Sequence, residues 1–266
     1  MKKRVISAVV ALLILVPIFY VGGIIFDLAV IALALLGLRE FLKVKETKKQ
    51  IPSFISFISY IILTLILISS LNVSKMVFMV DYRILSALFL VFLLPAILYH
   101  DRSKYSITDA FYLIGGVFFL AISFSILIVI RNMDLNLIIY LFLITIMTDT
   151  YAYIIGMLIG KHKLLEDVSP NKTWEGMIAG TVFGTLIATM FYITVIDPYI
   201  NLLLIISVTL FLSILGQLGD LVFSSIKRYF GKKDFSNIMP GHGGILDRLD
   251  SIIFVLLGFI FFIGIL

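Results

Sequence analysis

Residues 224–250 bring together side chains that suit the chemistry of metals and phosphates. In a chain that is 61% hydrophobic, this stretch reads SSIKRYFGKKDFSNIMPGHGGILDRLD and follows Asp220 closely. Its last acids, Asp247 and Asp250, are three residues apart, so in a helix they share one face. Acids at the edge of an apolar helix are costly unless they bind a cation or pair with each other. The pattern therefore indicates a cation site.

The segment PGHGG, with its basic neighbours, indicates an anion beside that cation. Gly243 and Gly244 allow backbone N–H groups to turn toward an anion, and a helix that follows presents its positive dipole end to the same place. Four cations lie just upstream: Lys227, Arg228, Lys232 and Lys233. A divalent cation next to an anion nest and several lysines is typical of a site for phosphates and the magnesium that accompanies them.

Each of these residues also has a purely structural interpretation. Lys and Arg beside a membrane span often only set topology, Gly and Pro often only make a turn, and an acid at a helix start can be a cap. Taken together, three acids flanking one short loop favour a functional site, because unpaired acids at an apolar boundary are expensive.

The same stretch resembles the signature of the phosphatidate cytidylyltransferases, or CDP-diacylglycerol synthases. The residues that match in order and spacing are Ser224, Ile226, Lys227, Arg228, Lys233, Asp234, Ser236, Pro240, His242, Gly243, Gly244, Asp247, Arg248 and Asp250. Met239 departs from the signature, which has Leu, Ile or Phe there, but it keeps the apolar character. Residues 149–160 and 169–176 resemble the second motif region of that family, so the resemblance covers residues 140–266.

The resemblance implies a reaction in which the phosphate of phosphatidic acid attacks the α-phosphorus of CTP, giving CDP-diacylglycerol and pyrophosphate. It implies magnesium as the cofactor, bound by Asp220, Asp247 and Asp250, and leaves a second cation open. The catalytic residues are then Asp220, Lys227, Arg228, Asp247, Arg248 and Asp250. The substrate-binding residues are then Asp149, Ser169, Lys172, Thr173, Glu175, Ser224, Lys233, Asp234, His242, Gly243 and Gly244.

Two of these roles keep an alternative. Lys172 lies where a lysine can meet a lipid phosphate at the membrane interface, but it can equally be a topology signal. His242 can donate to a phosphate or hold a turn. No histidine has to act as a strong base, because a phosphate monoester at neutral pH is already a good nucleophile.

Composition places the chain in a lipid bilayer. Its 266 residues are 61% hydrophobic and carry a net charge of +5, whereas soluble domains are about half apolar. We expect an integral membrane protein with the bilayer as a partner and no nucleic-acid partner. The chain has no cysteine, which excludes disulfides and a thiolate ligand or nucleophile.

Long apolar runs predict an all-α, polytopic membrane bundle, since a span needs about 20 apolar residues. Nine candidate spans are found, at 5–20, 23–41, 54–71, 84–99, 110–130, 135–160, 174–196, 202–223 and 246–266. The first two could be one long span with an interfacial helix, but Gly22, Gly23 and Asp27 favour a tight turn between two helices. We predict a scaffold over residues 1–135 and a catalytic region over 136–266 that contains the 224–250 loop.

The charges predict the orientation of these spans. With the N-terminus in the cytoplasm, all but three of the 21 Lys and Arg residues lie at cytoplasmic ends, the exceptions being Lys75, Arg83 and Arg131. This asymmetry follows the positive-inside rule and places the 224–250 loop in the cytoplasm, where a nucleotide is available. The short ends resemble bacterial members of the family, which implies the bacterial inner (cytoplasmic) membrane. Flat apolar helix faces that need burying favour a homodimer.

Polar residues and glycines within the later spans suggest how those helices pack. Gly176, Gly180 and Gly184 form a stripe at every fourth residue, which usually lets two helices approach closely. Thr173 is placed to cap the helix that follows it. In the N-terminal half, Asp27 is expected to face a neighbouring helix or the outer surface.

Three other function classes are less well supported. A cation-coupled transporter is the main alternative, because acids within spans can relay ions, but the polar groups gather at one cytoplasmic edge and no matching pair of broken helices is seen. A structural membrane scaffold leaves the clustered acids unexplained. A CDP-alcohol phosphotransferase would have a DGxxAR-type run, and the sequence has none.

Overall fold

The computed structural model describes residues 13, 15–71, 82–99, 101–239, 241 and 243–265, and these residues are mainly helical. The helices are α1 (Gly23–Glu46), α2 (Ser53–Leu71), α3 (Tyr82–Leu98), α4 (Ile107–Met133), α5 (Leu135–Ile159), α6 (Trp174–Phe191), α7 (Leu202–Tyr229) and α8 (Leu246–Phe259). Residues 15–21 are also helical, and most of the candidate span 5–20 lies outside the described residues. A short π-helical turn, Tyr192–Ile196, extends α6.

Five described segments are long and apolar enough to cross a membrane: Ser53–Leu71, Ile107–Met133, Leu135–Ile159, Trp174–Ile196 and Leu202–Tyr229. Helix α3 is a shorter apolar helix. Helix α8 has 14 residues and ends earlier than the predicted span 246–266, because i→i+3 bonds such as Phe261 N–H to Gly258 O replace its regular ladder. The prediction of an α-helical, multi-pass membrane protein is confirmed, and the number nine stays a prediction.

The chain divides into two compact units. The first contains the described parts of Met1–Met133 and Asp234–Asp247, and the second contains Asp134–Lys233 and the described part of Arg248–Leu266. The 224–250 loop thus contributes to both units. The assignment of scaffold and catalytic roles to residues 1–135 and 136–266 stays a prediction.

In the first unit, two glycines turn the chain before α1. Gly22 and Gly23 have φ angles of 68° and 54°, a left-handed conformation that glycine adopts without steric cost. The Arg131 guanidinium donates to Phe19 O at 2.9 and 2.7 Å, so it satisfies a carbonyl at the end of the preceding helical segment. A break between two helical segments is therefore present at Gly22, as predicted, and the assignment of the two segments to separate spans stays a prediction.

Two polar contacts join α1 to α4 within the same unit. Asp27, 7% exposed, accepts a 2.9 Å hydrogen bond from Asn132 Nδ2. Of the two predicted environments, a neighbouring helix or the outer surface, the structure therefore shows the neighbouring helix. At the other end of α1, Asp109 forms ion pairs of 2.5 Å with both Lys45 and Lys49. Two cations that the sequence explained only by topology are therefore also paired with a buried acid.

In the second unit, the glycine stripe of α6 packs against α5. A Cβ at Gly176 would lie 2.5 Å from Ala152 O, and one at Gly180 would lie 2.5 Å from Thr148 O. A Cβ at Gly184 would collide with the Thr148 hydroxyl. The backbones approach this closely only because these positions lack side chains, which confirms the packing interpretation of the stripe.

Hydroxyl pairs connect α7 to its neighbours in the second unit. Thr209 and Ser213 on α7 lie 2.7 Å from Tyr140 Oη and Thr148 Oγ1 on α5. Gln217 Nε2 donates to Thr181 Oγ1 on α6 at 2.8 Å. Such hydrogen bonds are a common means of holding helices together in an apolar environment, and they fix the helix that carries Asp220.

A β-hairpin between α5 and α6 was not expected from the sequence. Strands β1 (Lys163–Leu165) and β2 (Ser169–Thr173) pair antiparallel, with Lys163 opposite Thr173 and Leu165 opposite Ser169. The hairpin ends at Thr173, whose Oγ1 accepts from Gly176 N–H at 3.2 Å. The predicted helix cap at Thr173 is confirmed.

Candidate active site

Three carboxylates from three helices lie near one another in the second unit. Asp149 comes from α5, Asp220 from α7 and Asp250 from α8. Asp250 interacts electrostatically with both Asp220 and Asp149, and Asp149 with Asp220. The Asp250 side chain is buried, with 8% of the residue exposed. Like charges gathered in a partly buried place repel one another, so this cluster needs cations around it.

Lys172 supplies one of those cations. Its ammonium lies 2.6 Å from Asp220 Oδ2, and each of the two side chains is a little over one quarter exposed. The lysine comes from strand β2, whereas the aspartate belongs to α7. From the sequence, Lys172 was predicted to bind a lipid phosphate and Asp220 to bind a metal. In the structure these two side chains form an ion pair with each other.

Lys227 supplies a second cation to the cluster. It is 7% exposed, and its charge acts on Asp250. It lies two helical turns after Asp220 on α7, and between them Ser224 Oγ donates to Asp220 Oδ1 at 3.2 Å. Lysine is rarely buried unless it is paired, so the burial of Lys227 fits a place beside the three carboxylates.

The donor set of this cluster fits a hard divalent cation. Three carboxylates and two lysines leave a net negative charge, and Mg²⁺ prefers oxygen ligands. Among the residues that the structure describes, no three His, Cys, Asp or Glu side chains form a ready-made metal cluster. A magnesium site in a protein usually takes one or two carboxylates and completes its shell with water and substrate phosphates.

The hairpin that carries Lys172 is braced on both sides. Glu175 Oε1 lies 2.6 Å from His162 Nδ1, so it joins the start of α6 to the residue before β1. Arg228 Nε donates to Val168 O at 3.2 Å, which ties the hairpin turn to the end of α7. Two residues predicted to contact substrate therefore contact the hairpin in this structure.

Asp247 has a different setting from the other acids, within the first unit. Its Oδ2 accepts from Phe235 N–H at 2.9 Å and from Gly244 N–H at 2.8 Å. Gly243, with φ at 85°, could not carry a side chain there without meeting the Asp247 carboxylate. The N–H group of Gly244, expected to face an anion, thus faces the carboxylate of Asp247.

Glu40 of α1 binds the same loop and was missed by the sequence analysis. It is 1% exposed, and it accepts from Ile245 N–H and Leu246 N–H at 2.9 Å each. It also accepts from Ser236 Oγ at 2.5 Å. The signal in the sequence is weak, since Glu40 is one of two acids among the five cations of residues 39–49, and acids in such a stretch are usually solvated.

The other candidate residues lie at the surface or outside the described part of the chain. Lys233, Asp234 and Arg248 are exposed, and Ser169 on β2 is half-buried. His242 and Pro240 lie outside the described residues. Ser251, which follows Asp250, was also missed; its Oγ donates to Asp149 Oδ2 at 3.3 Å and joins two of the acids.

Comparison with known proteins gives a consistent result over nearly the whole chain. The model of the cytidylyltransferase family matches residues 2–266. Proteins named phosphatidate cytidylyltransferase are similar to the chain: one from Staphylococcus aureus (strain COL) is 39% identical over 257 residues, which is 96% of each chain. Those from Staphylococcus epidermidis (strain ATCC 12228) and Staphylococcus haemolyticus (strain JCSC1435) are each 40% identical over the same length and share.

Proposed function

The chain belongs to the cytidylyltransferase family, and we propose that it transfers the cytidylyl group of CTP to phosphatidic acid in phospholipid biosynthesis. A phosphate oxygen of the lipid forms a bond to the α-phosphorus of CTP. The bond from that phosphorus to the oxygen of the β-phosphate breaks, and pyrophosphate leaves. The observation that carries the proposal is the similarity, over 96% of the chain, to relatives named for this activity.

The charged cluster of the second unit supports this chemistry. Both substrates are anionic, so cations must offset their repulsion and the charge on the transferring phosphoryl group. Lys172 and Lys227 are placed beside Asp220 and Asp250, where they can hold phosphate oxygens once the carboxylates have another cation to bind. Holding two reactants in line supplies a large part of the rate of such transfers.

Magnesium is proposed as the cofactor. Asp220, Asp250 and Asp149 would hold it in the second unit, and Asp247 stays a predicted ligand. When bound, the cation would neutralise charge on the CTP phosphates and on the pyrophosphate that leaves. With the metal bound, Asp220 would have a second possible partner besides Lys172, and the lysine could then meet the lipid phosphate. A second cation remains compatible with a cluster that holds more acids than lysines.

The surroundings of the reaction follow from the charge pattern. We propose that the protein lies in the bacterial cytoplasmic membrane, with the N-terminus and the 224–250 loop on the cytoplasmic side, where CTP is found. The lipid substrate would reach the site from the bilayer, in which the flanking helices lie. A homodimer is proposed because the helices expose broad apolar faces.

The test is a transfer assay with CTP labelled at one phosphorus. Purified protein, phosphatidic acid vesicles and magnesium should move the label of [α-³²P]CTP into a lipid and the label of [γ-³²P]CTP into pyrophosphate. Omitting phosphatidic acid should abolish both products. A protein that releases the α-label in a water-soluble product without labelling the lipid would contradict the proposal, and so would activity independent of phosphatidic acid.

A further inference from the structure

We propose that Glu40 is a positioning residue for the reaction: its carboxylate fixes the start of helix α8, the helix that carries Asp247 and Asp250. The proposal rests on the proposed function, because those two acids matter only if they serve the transfer. The geometry on which it stands belongs to the first unit alone, which contains Glu40, the loop from Asp234 and the first residues of α8.

Both oxygens of the Glu40 carboxylate accept hydrogen bonds from this loop. Oε1 accepts from Ser236 Oγ and Ile245 N–H, and Oε2 accepts from Leu246 N–H. The donors lie about 200 positions further along the chain, and Glu40 itself is 1% exposed. A buried carboxylate is tolerated only when its oxygens are satisfied, so the loop and the acid depend on each other.

These bonds satisfy the start of a helix. The first N–H groups of a helix have no partner within it, and a side chain next to the helix start usually accepts from them. At α8, Glu40, which belongs to another helix, accepts from the N–H of the first helical residue, Leu246, and from that of Ile245 just before it. Asp247 accepts from Gly244 N–H, two residues before the helix begins. Two negative charges at this end are also favourable to the helix dipole. The position of Leu246, the first residue of α8, therefore depends on α1.

The packing leaves little freedom for another arrangement. A Cβ at Gly244 would lie 2.5 Å from Glu40 Oε1, so the backbone sits directly against the carboxylate. One turn before Glu40, a Cβ at Gly37 would lie 3.1 Å from Leu246 Cδ2, and Leu246 is fully buried. The first residue of α8 is thus held by a close approach to Gly37 and by a hydrogen bond to Glu40, both residues of α1.

Loss of this contact should move the acids that follow it. Asp247 is the second residue of α8 and Asp250 comes one turn later. A misplacement of about 1 Å at a catalytic group can lower a rate by roughly 10²-fold. Glu40 would act through these two aspartates, without touching substrate.

The test compares Glu40→Ala and Glu40→Gln with Asp27→Asn in the full-length protein. Asp27 is a matched control, because it is also a buried acid of α1 but bonds to Asn132 instead of the loop. Hydrogen exchange at the amides of Ile245 and Leu246 should accelerate about tenfold or more in Glu40→Ala and less in Glu40→Gln, which keeps one acceptor oxygen. Asp27→Asn should leave these amides unchanged.

The kinetic arm uses initial rates at varied CTP and phosphatidic acid. Glu40→Ala should lower kcat by about 10²-fold and change KM for phosphatidic acid little, since Lys172 lies on a different element. Glu40→Gln should recover part of the loss, and Ser236→Ala, which removes one of three donors, should have a smaller effect than Glu40→Ala. A variant that only lowered the fraction of folded protein would reduce the rate, but it would not speed up hydrogen exchange at Ile245 and Leu246 more than at other amides.

Either arm can overturn the proposal. Unchanged exchange at Ile245 and Leu246 in Glu40→Ala would show that the carboxylate does not hold the helix start. Faster exchange with wild-type kcat would show that the held geometry does not matter for the reaction. Because the exchange arm needs no substrate, a wild-type protein without transferase activity would overturn the proposed function while leaving the structural contact measurable.

Discussion

The carboxylates of the candidate site differ in the kind of partner that each one has. Asp220 pairs with the side-chain ammonium of Lys172 at 2.6 Å, a partner that a metal ion can replace. Asp247 accepts from two backbone N–H groups, which cannot move without the loop. The arrangement of Asp220 suits a side chain that binds and releases a metal ion. The arrangement of Asp247 suits a side chain that fixes a loop.

Asparagine substitution separates these roles. Each of Asp220→Asn, Asp247→Asn and Asp250→Asn should lower the transfer rate by about 10²-fold or more, if the lost charge supports a metal that stabilises the transition state. Excess magnesium should partly rescue a variant whose site is only weakened. The measurement is the initial rate over a range of magnesium concentrations, with Asp27→Asn as the control variant that keeps wild-type rates.

Two results would count against the metal assignment. Near wild-type turnover of Asp220→Asn and Asp250→Asn at limiting magnesium would remove both from the site. A loss in Asp247→Asn that no magnesium concentration relieves, together with faster amide exchange at Gly244, would make Asp247 a loop anchor and not a ligand.

At the scale of elements, the β1–β2 hairpin decides where Lys172 lies. The hairpin is anchored at its base by Glu175 and His162 and at its turn by Arg228. Thr173 then starts α6, whose glycine stripe lies against α5. A lysine on a flexible loop loses both side-chain and backbone conformational entropy when it binds an anion. A lysine on a folded hairpin loses only the side-chain entropy, because its backbone is already ordered.

The hairpin therefore predicts a selective effect for Lys172→Ala. Use of phosphatidic acid should weaken more than use of CTP, because the sequence predicts this lysine at the membrane interface, where a lipid phosphate is found. The measurement is the KM for each substrate at saturating concentration of the other. Lys163→Ala is the matched control, since Lys163 belongs to the same hairpin and its Nζ donates to Pro170 O.

An unchanged KM for phosphatidic acid in Lys172→Ala would return this lysine to the role of a topology signal. An equal rise in both KM values would indicate instead that Lys172 acts through Asp220, as the ion pair in the structure would also allow.

At the scale of the whole molecule, the distribution of charge predicts an orientation in the membrane. All but three of the 21 Lys and Arg residues lie on the side assigned to the cytoplasm. Some of these cations also have structural partners, as Lys45 and Lys49 have in Asp109. A cation can serve both purposes, because the positive-inside rule acts during insertion and the ion pair forms in the folded protein.

Thiol labelling checks this orientation directly, since the chain has no native cysteine. Asn237→Cys in the 224–250 loop should react with an impermeant maleimide only from the cytoplasmic side. Tyr199→Cys, at a position that is 94% exposed in the turn before α7, should react only from the opposite side. Reaction of both cysteines from the same side would refute the predicted arrangement of spans.

The sequence by itself determined the features that depend on neighbours along the chain. Apolar runs predicted spans such as 54–71 and 135–160, which the structure places at Ser53–Leu71 and Leu135–Ile159. The turn at Gly22 and Gly23 and the cap at Thr173 were also predicted, because a left-handed backbone and an N-terminal cap need only local residue types. The resemblance to a family came from one continuous signature.

Only the tertiary structure decided which distant residues meet. Nothing local shows that Glu40 accepts bonds from residues 236, 245 and 246, or that Lys172 pairs with Asp220. The hairpin was missed because β1 has only three residues and β2 is polar, so neither strand shows the alternation of apolar residues that marks a half-buried strand. Burial and ion pairing depend on how helices pack. Packing brings together residues that are far apart in the sequence, at separations that follow no regular spacing.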